Sequence, residues 1–328
     1  MVVQALYGLR SSGYAFLNHL ASCIEAINRL PFRSDTDAWM QKARKSNGTE
    51  YYEYMILYVD NCRAISETPN EEVLQLDKLF KMQQSYIAPP NICLGRKLMN
   101  MRLLNMVEAW NFSSSQYVQE AVSNVKKFLQ YLDGSILFMK INDPLSNGYR
   151  PELYSSPELD GSDGVYYQSF IGILRWMVKL GRIDICCEVS MMSSQLSLPR
   201  EGHLDQVFHT FMYLKKHHNS DLVFEPSYPD VNIDTFPKHD RTKLYGDVKE
   251  AMPPDMSEPL GKVLVMRCFV NDDHAGEKLK RRSRSVFIIF LQMETIYYCS
   301  KRQNTVETST FVSEFMAFKP ECEFISSL

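Results

Sequence analysis

Residues 58–61, with the sequence Tyr-Val-Asp-Asn, place a carboxylate where the chain is expected to reverse direction. Residues 53–59 and 62–66 have the character of strands, and the polar step Asp60-Asn61 interrupts them, so the pattern predicts a β-hairpin. A carboxylate at such a tip is held at the sheet surface, where its oxygens can ligate Mg²⁺. The alternative is an ordinary hairpin with a solvated Asp-Asn turn, which the motif taken alone favours.

A second candidate group is basic. Five of the seven residues 278–284 carry a positive charge: Lys278, Lys280, Arg281, Arg282 and Arg284. Such a cluster can follow a phosphate backbone or act as a patch like those of nuclear-localisation signals. The alternative is a solvated hairpin turn, which we favour because the formal net charge of the whole chain is −3.

The composition is that of a globular chain. Its 328 residues are 45% hydrophobic and 23% charged, which indicates roughly two domains. The eight cysteines include no C-x-x-C pair, which is typical of reduced thiols rather than of disulfides or a zinc site. The sequence shows no signal peptide, and its most apolar run, residues 286–291, is far shorter than a membrane span. We therefore expect an intracellular protein that makes no contact with a membrane, in the cytoplasm or the nucleus. The oligomeric state stays open.

The elements that must position these residues are both helices and strands, so the expected class is mixed α/β, of the α+β type. Helices are predicted at residues 11–30, ended by Pro31, and at 70–80, with Asn70 as the N-cap. Further helices are predicted at residues 115–129, 166–198 and 203–217. Residues 133–164 are loop-like, and residues 225–261 are predicted to be a linker with little structure.

The pattern changes in the last part of the chain. Strands are predicted at residues 262–270, 283–292 and 295–300, followed by a helix at 310–318, which suggests a separate small α/β domain. Phe311, Phe315 and Phe318 recur at helical spacing and are predicted to lie in the core. Pro320 is predicted to end this helix.

Ordered motifs along the chain resemble those of copia-type retrotransposon Pol polyproteins. Residues 4–13 resemble the motif K-A-L-Y-G-L-K/R of the reverse transcriptase, and residues 58–61 resemble its Y-V-D-D hairpin. Further matches to the same region lie at residues 92–95, 113–122, 167–174, 182–185 and 203–215. Residues 269–275, 281–285, 300–306 and 309–317 resemble ribonuclease H motifs of the same family. The order of so many matches is not expected by chance.

The resemblance implies an RNA-directed DNA polymerase with ribonuclease H, acting on a template-primer or an RNA–DNA hybrid. Its expected domains are a partial palm with the following helices at 1–140, a thumb- or connection-like helical segment at 141–224, the linker at 225–261, and a C-terminally truncated ribonuclease H-like domain at 262–328. By resemblance, Tyr7, Gly8 and Arg10 lie at the incoming nucleotide. A turn glycine and a solvated charge are the alternatives for Gly8 and Arg10.

Polymerases of this family use two Mg²⁺ ions held by three aspartates, one on an earlier strand and two in the hairpin. The earlier strand would lie before Met1. Asp60 occupies the first hairpin position, whereas Asn61 replaces the second aspartate. One carboxylate cannot neutralise two divalent cations, so we expect no polymerase activity.

The ribonuclease H of the family also uses two metal ions and a carboxylate cluster. Asn271 replaces its first aspartate. Asp273 shares the face of Asn271 but lies two residues, or roughly 7 Å, further along the strand. Glu314 matches the family's glutamate, and the later aspartate would lie beyond Leu328. Asp60 and Glu314 are the remaining candidate metal ligands, and we expect Mg²⁺ binding to be weak or lost.

The sequence therefore predicts a catalytically inactive remnant of a copia-type polymerase. The alternative is a domesticated nucleic-acid-binding protein that keeps the scaffold without the chemistry.

Overall fold

The computed structural model describes residues 11–32, 35–59, 61–82, 87–132, 141–232, 240, 242–247 and 256–327. The chain divides into two compact units, Met1–Pro90 with Asn232–Val263, and Asn91–Val231 with Leu264–Leu328. Each unit combines helices with antiparallel sheet. The expected α+β class is therefore confirmed in its general form.

The first unit is built on a four-stranded antiparallel sheet with the strand order β1-β2-β3-β4. Its elements are α1 (Ser12–Ala26), β1 (Leu30–Pro31), β2 (Ala38–Arg44), β3 (Glu50–Tyr58), β4 (Asn61–Ile65), α2 (Pro69–Leu79) and the short α7 (Thr242–Tyr245). Apolar residues of α1, the sheet and α2 form one core, with Ile24, Met55 and Leu76 fully buried. The strand β2 was not predicted from the sequence.

Two predicted boundaries in this unit were wrong. The first helix ends at Ala26 rather than at Pro31, because the chain turns at Asn28, whose φ is +63°. Pro31 instead pairs with Trp39 in the edge strand β1, a position where a missing amide donor is tolerated. The second helix begins at Pro69, with Thr68 rather than Asn70 at the N-cap.

The second unit contains a four-stranded sheet and a group of helices. The strands β5 (Ile92–Cys93), β6 (Arg96–Arg102), β7 (Glu108–Ser113) and β8 (Asp221–Phe224) are antiparallel in that order. The helices are α3 (Ser115–Leu132), α4 (Gly161–Lys179), α5 (Cys186–Ser193) and α6 (Glu201–Lys216). These helices bury one large apolar cluster, which includes Tyr167, Leu174, Met192 and Phe211.

The single helix predicted at residues 166–198 is two helices in the structure. The break falls at Gly181, whose φ is +101°, a conformation that other residues rarely adopt. The next residue, Arg182, is fully buried, and its guanidinium donates to both oxygens of Asp184, at 2.8 and 2.6 Å. This ion pair fixes the turn between α4 and α5.

A three-stranded antiparallel sheet completes the second unit, in the order β11-β10-β9. Its strands are β9 (Met266–Asp272), β10 (Arg284–Leu291) and β11 (Glu294–Arg302), and α8 (Thr310–Ser327) packs against β9 and β10. The sheet is joined to the helices by side chains. Ser190 of α5 donates to the Ser300 carbonyl at 2.7 Å, and Tyr298 donates to the Val178 carbonyl.

The last helix differs from its prediction in length and in orientation. It passes through Pro320 and continues to Ser327, because Ala317 and Glu321, on either side of the proline, are both buried. Phe311, Phe315 and Phe318 are not core residues, since 78%, 55% and 51% of their surfaces are exposed. The helix turns Ser313, Ala317 and Glu321 inward instead.

Searched over the described ranges, the helices contain no stretch with the length and hydrophobicity that a bilayer crossing requires.

Candidate functional site

The predicted hairpin with the Tyr-Val-Asp-Asn sequence is confirmed. Strands β3 and β4 are antiparallel, Tyr58 pairs with Asn61, and Val59 adopts a φ of +56° in the turn between them. Asp60, the expected metal ligand, lies outside the described residues, as do Tyr7, Gly8 and Arg10. The structure therefore supports the hairpin geometry but does not bear on these four side chains.

A buried ion cluster lies behind this hairpin and was not predicted from the sequence. Arg29, which is 1% exposed, contacts the carboxylate of Glu72 on α2 and lies 3.5 Å from that of Glu53 on β3. Burial raises the pKa of Glu72. A buried charge is costly unless it is paired, so these contacts hold β3 and α2 together. Nothing in the local sequence pattern distinguishes Arg29 from a solvated charge.

The second group of candidate residues lies at the end of β9. Asp272 accepts a hydrogen bond at 2.9 Å from the side-chain amide of Gln303, which also donates to the Ser313 carbonyl of α8 at 2.9 Å. Asp272 is therefore part of a link between the sheet and α8. Asn271, at the position of the replaced aspartate, is exposed. Gln303 is a residue whose role sequence reasoning missed, although it lies inside a matched motif.

Asp273 is held by the loop that follows β9. Its carboxylate accepts from the backbone amide of Arg284, and its own amide donates to the Arg284 carbonyl at 3.2 Å. A Cβ at position 276 would collide with this carboxylate, so the loop requires Gly276. Partial burial raises the pKa of Asp273. The carboxylate therefore fastens the loop to the start of β10.

Asp273 faces a small cavity of about 30 Å³ that is rich in charge. Its lining includes Arg150, Glu152, Glu277, Arg284 and Arg302. Arg302 and Glu277 form an ion pair at 3.2 Å. The guanidinium of Arg284 donates to the hydroxyls of Ser190 and Ser194, so this cation binds α5 instead of facing solvent.

Glu314 lies elsewhere. It is exposed on α8 and lines a groove of about 280 Å³ together with Val270, Phe311, Phe315 and Phe318. Asp273 and Glu314 thus line different pockets, and neither of these two pockets is lined by both carboxylates. Within the described ranges, no group of three or more His, Cys, Asp or Glu side chains could hold a metal ion.

The basic segment forms a loop between β9 and β10. Lys278, Lys280 and Arg281 are exposed, Arg282 is half-buried and Arg284 turns inward. The loop is closed by backbone hydrogen bonds from Glu277 to the Arg282 carbonyl at 3.1 Å and from Arg281 to the Glu277 carbonyl at 2.8 Å. Three of the five predicted basic residues therefore point into solvent from one loop.

A comparison with curated proteins agrees with the motifs. The chain is 21% identical to the Retrovirus-related Pol polyprotein from transposon RE1 of Arabidopsis thaliana, over 328 residues and 99% of its length. The resemblance to a copia-type Pol polyprotein is confirmed. The chain covers 19% of that relative, and the similarity supports its derivation from a retrotransposon Pol polyprotein. No protein-family profile matches the chain, and neither does any solved structure.

Proposed function

We propose that this chain is a catalytically inactive derivative of a copia-type RNA-directed DNA polymerase with ribonuclease H, which keeps the scaffold and has lost both reactions. The observation that carries the proposal is that an amide, Asn61 at the hairpin and Asn271 in β9, stands where each matched motif has an aspartate. Two-metal hydrolysis requires carboxylates that converge on ions roughly 3.5–4 Å apart.

The residues present do not fit a pair of Mg²⁺ ions. Asn271 has no charge, Asp272 accepts from Gln303, and Asp273 accepts from the Arg284 amide. Mg²⁺ requires near-ideal octahedral geometry, with hard oxygen ligands at roughly 2.0–2.1 Å. One oxygen of Asp272 and one of Asp273 are engaged in these bonds, and the described residues contain no group of three or more His, Cys, Asp or Glu side chains that could hold a metal ion. This favours weak binding of a single ion at most.

The hairpin supports the same proposal for polymerisation. Asn61 pairs with Tyr58 at the start of β4, where the resembling family has its second aspartate. An amide oxygen can coordinate a cation but supplies no net charge. Binding of two divalent ions at the hairpin is therefore disfavoured.

Primer extension tests the polymerase half. We expect no incorporation by the full chain on an RNA template with a DNA primer, in Mg²⁺ or Mn²⁺. Template-dependent incorporation that disappears in Asp60→Ala would overturn the proposal. Incorporation that persists in Asp60→Ala would come from a contaminating polymerase and leave our expectation intact.

A second candidate function is nucleic-acid binding without chemistry, with an RNA–DNA hybrid or template-primer as the partner. The specific observation in its favour is the exposure of Lys278, Lys280 and Arg281 on one loop. Three cations that follow a phosphate backbone release counterions, so binding must weaken as salt rises.

The variant K278Q/K280Q/R281Q tests this function. We expect it to lower the slope of log Kd against log salt by about 2–3, roughly one unit per phosphate contact. The matched control K97Q/K126Q/K127Q removes three other exposed lysines of the same unit and should leave the slope near that of the unmodified chain. If the slope of log Kd against log salt fell equally in the two triple variants, the effect would be one of general charge, and binding by this loop would be contradicted.

A further inference from the structure

No strand among the described residues pairs with the outer edge of β9. In the order β11-β10-β9, this strand has one neighbour, β10. The amide of Asp273 donates to the Arg284 carbonyl, so by antiparallel alternation Asn271, Phe269 and Arg267 direct their backbone groups toward β10. The backbone N–H and C=O groups of Cys268 and Val270 therefore point away from β10, toward the outer edge. A free edge of this kind is ready to pair with another strand.

An apolar surface lies beside this edge. Phe311, Phe315 and Phe318 project from α8 with more than half of each side chain exposed, and Val270 shares their groove of about 280 Å³. Contiguous apolar patches beside a groove mark interaction surfaces in folded proteins. The helix exposes its phenylalanines and buries Glu321, which is the reverse of what an isolated surface helix does.

We propose that the β9 edge and the phenylalanine face of α8 form the contact surface of a symmetric dimer of two copies of this chain. A two-fold axis perpendicular to the sheet would pair β9 with β9 of the other copy, in antiparallel orientation, and make a continuous six-stranded sheet. Both copies of α8 would then lie on the same face, on either side of the new seam.

The spacing of the elements fits this arrangement. Because α8 packs against both β9 and β10, each helix lies over a pair of strands. The centres of the two strand pairs would be two strand spacings apart, or roughly 9.6 Å. Packed helices lie roughly 8–10 Å apart, so the phenylalanines of the two helices would meet across the seam.

The exposed phenylalanines also supply most of the buried area that a specific interface needs. With roughly 200 Å² for each phenylalanine, the exposed parts of Phe311, Phe315 and Phe318 amount to roughly 370 Å² per copy. Both copies together would bury roughly 740 Å² from these side chains. Val270, Phe269 and the paired backbone raise the total toward the roughly 1,000 Å² of a specific interface.

Charge gives the dimer a salt dependence opposite to that of nucleic-acid binding. Glu314 lines the groove of each copy, so two carboxylates would face the seam. Salt screens their repulsion, and association should strengthen as salt rises. Binding of a phosphate backbone by the basic loop would weaken under the same conditions. The two proposals therefore predict opposite effects of salt, so an experiment that contradicts dimerisation can be distinguished from one that contradicts nucleic-acid binding.

Sedimentation equilibrium of the full chain over a range of concentrations tests the proposal. We expect a monomer–dimer equilibrium whose Kd rises by roughly 30-fold or more in Phe315→Lys and in Phe315→Glu. An equimolar mixture of these two variants should dimerise again, because opposite charges then meet at the seam. Leu104→Lys, at a fully exposed turn between β6 and β7, is the matched control and should leave the Kd unchanged.

A backbone variant tests the strand edge separately. Cys268→Pro removes an outward amide and leaves the ladder to β10 intact, so we expect it to weaken the dimer while a cooperative melting transition persists. A chain that stays monomeric at all concentrations would overturn the proposal. So would a dimer that neither Phe315→Lys nor Cys268→Pro weakens.

Discussion

Glu321 is a buried carboxyl whose ionisation should lower the stability of the fold. It is fully buried on α8, and neither carboxylate oxygen has a hydrogen-bond partner among the described residues. Burial raises its pKa from 4.5 to about 7. The folded state therefore holds a proton that the unfolded chain releases in the interval between these values.

The sign of the pH effect follows from this difference. Below pH 4.5, this group should not affect the free energy of unfolding. The free energy of unfolding should fall as the pH rises from 4.5 to about 7, and it should stay at the lower value above that pH. Glu321→Gln removes the charge, so its melting temperature should exceed that of the unmodified chain above pH 7 and approach it near pH 4.5. Thermal denaturation across this interval measures the effect.

A carboxylate of the same helix provides the control. Glu323 is exposed and lies 4.0 Å from Lys319, so Glu323→Gln should change the melting temperature little at any pH. If Glu321→Gln and the unmodified chain showed the same pH dependence, the carboxyl of Glu321 would have to be solvated or paired.

The sequence reveals the replaced candidate residues but not their contacts. Asn61 and Asn271 stand out because the matched motifs have aspartates there, and strand alternation predicts that Asp272 and Asp273 face opposite ways. The bonds from Gln303 to Asp272 and from Arg284 to Asp273 join residues that are far apart in sequence or lie across a loop. The periodicity of apolar residues in the sequence gives no information about such hydrogen-bonded pairs.

At the scale of elements, periodicity predicts that a helix exists but not which of its faces is buried. In α8, the phenylalanines and the set Ser313, Ala317 and Glu321 both recur at helical spacing. Hydrophobicity favours burial of the phenylalanines, and the structure buries the other set. The β3–β4 hairpin was predictable because its strand pattern and its turn are both local. The strand β2 pairs across a longer loop and was missed.

The break between α4 and α5 depends on Gly181. A Cβ there would lie 2.7 Å from Leu222 Cδ1, and the φ of +101° is strained for any other residue. We expect Gly181→Ala to lower the free energy of unfolding by about 1–2 kcal/mol or more. Urea denaturation measures this change.

Gly172 is the matched control because it lies within α4, the helix that ends just before Gly181. Nothing lies within 4 Å of the position that its Cβ would occupy. Gly172→Ala should therefore raise the free energy of unfolding by about 0.5–1 kcal/mol, through the higher helix propensity of alanine. A destabilising Gly172→Ala, or a neutral Gly181→Ala, would contradict this description of the two positions.

At the scale of the whole molecule, the sequence indicates a change of pattern near residue 262, where helices give way to strands. Periodicity does not report which elements share a core. The hydrogen bonds from Ser190 to Ser300 and from Tyr298 to Val178 join the last sheet to α4 and α5 within the second unit. A separate ribonuclease H-like domain at 262–328 stays a prediction.

Hydrolysis of the RNA strand of an RNA–DNA hybrid is the most direct test of the proposed inactivity. In Mg²⁺ or Mn²⁺, we expect the full chain to cleave no faster than Glu314→Gln, because Asn271 replaces the first aspartate of the matched motif and supplies no charge to a metal ion. Multiple-turnover cleavage by the unmodified chain that Glu314→Gln abolishes and Glu323→Gln retains would contradict that expectation. It would mean that the carboxylates converge on a metal ion after all.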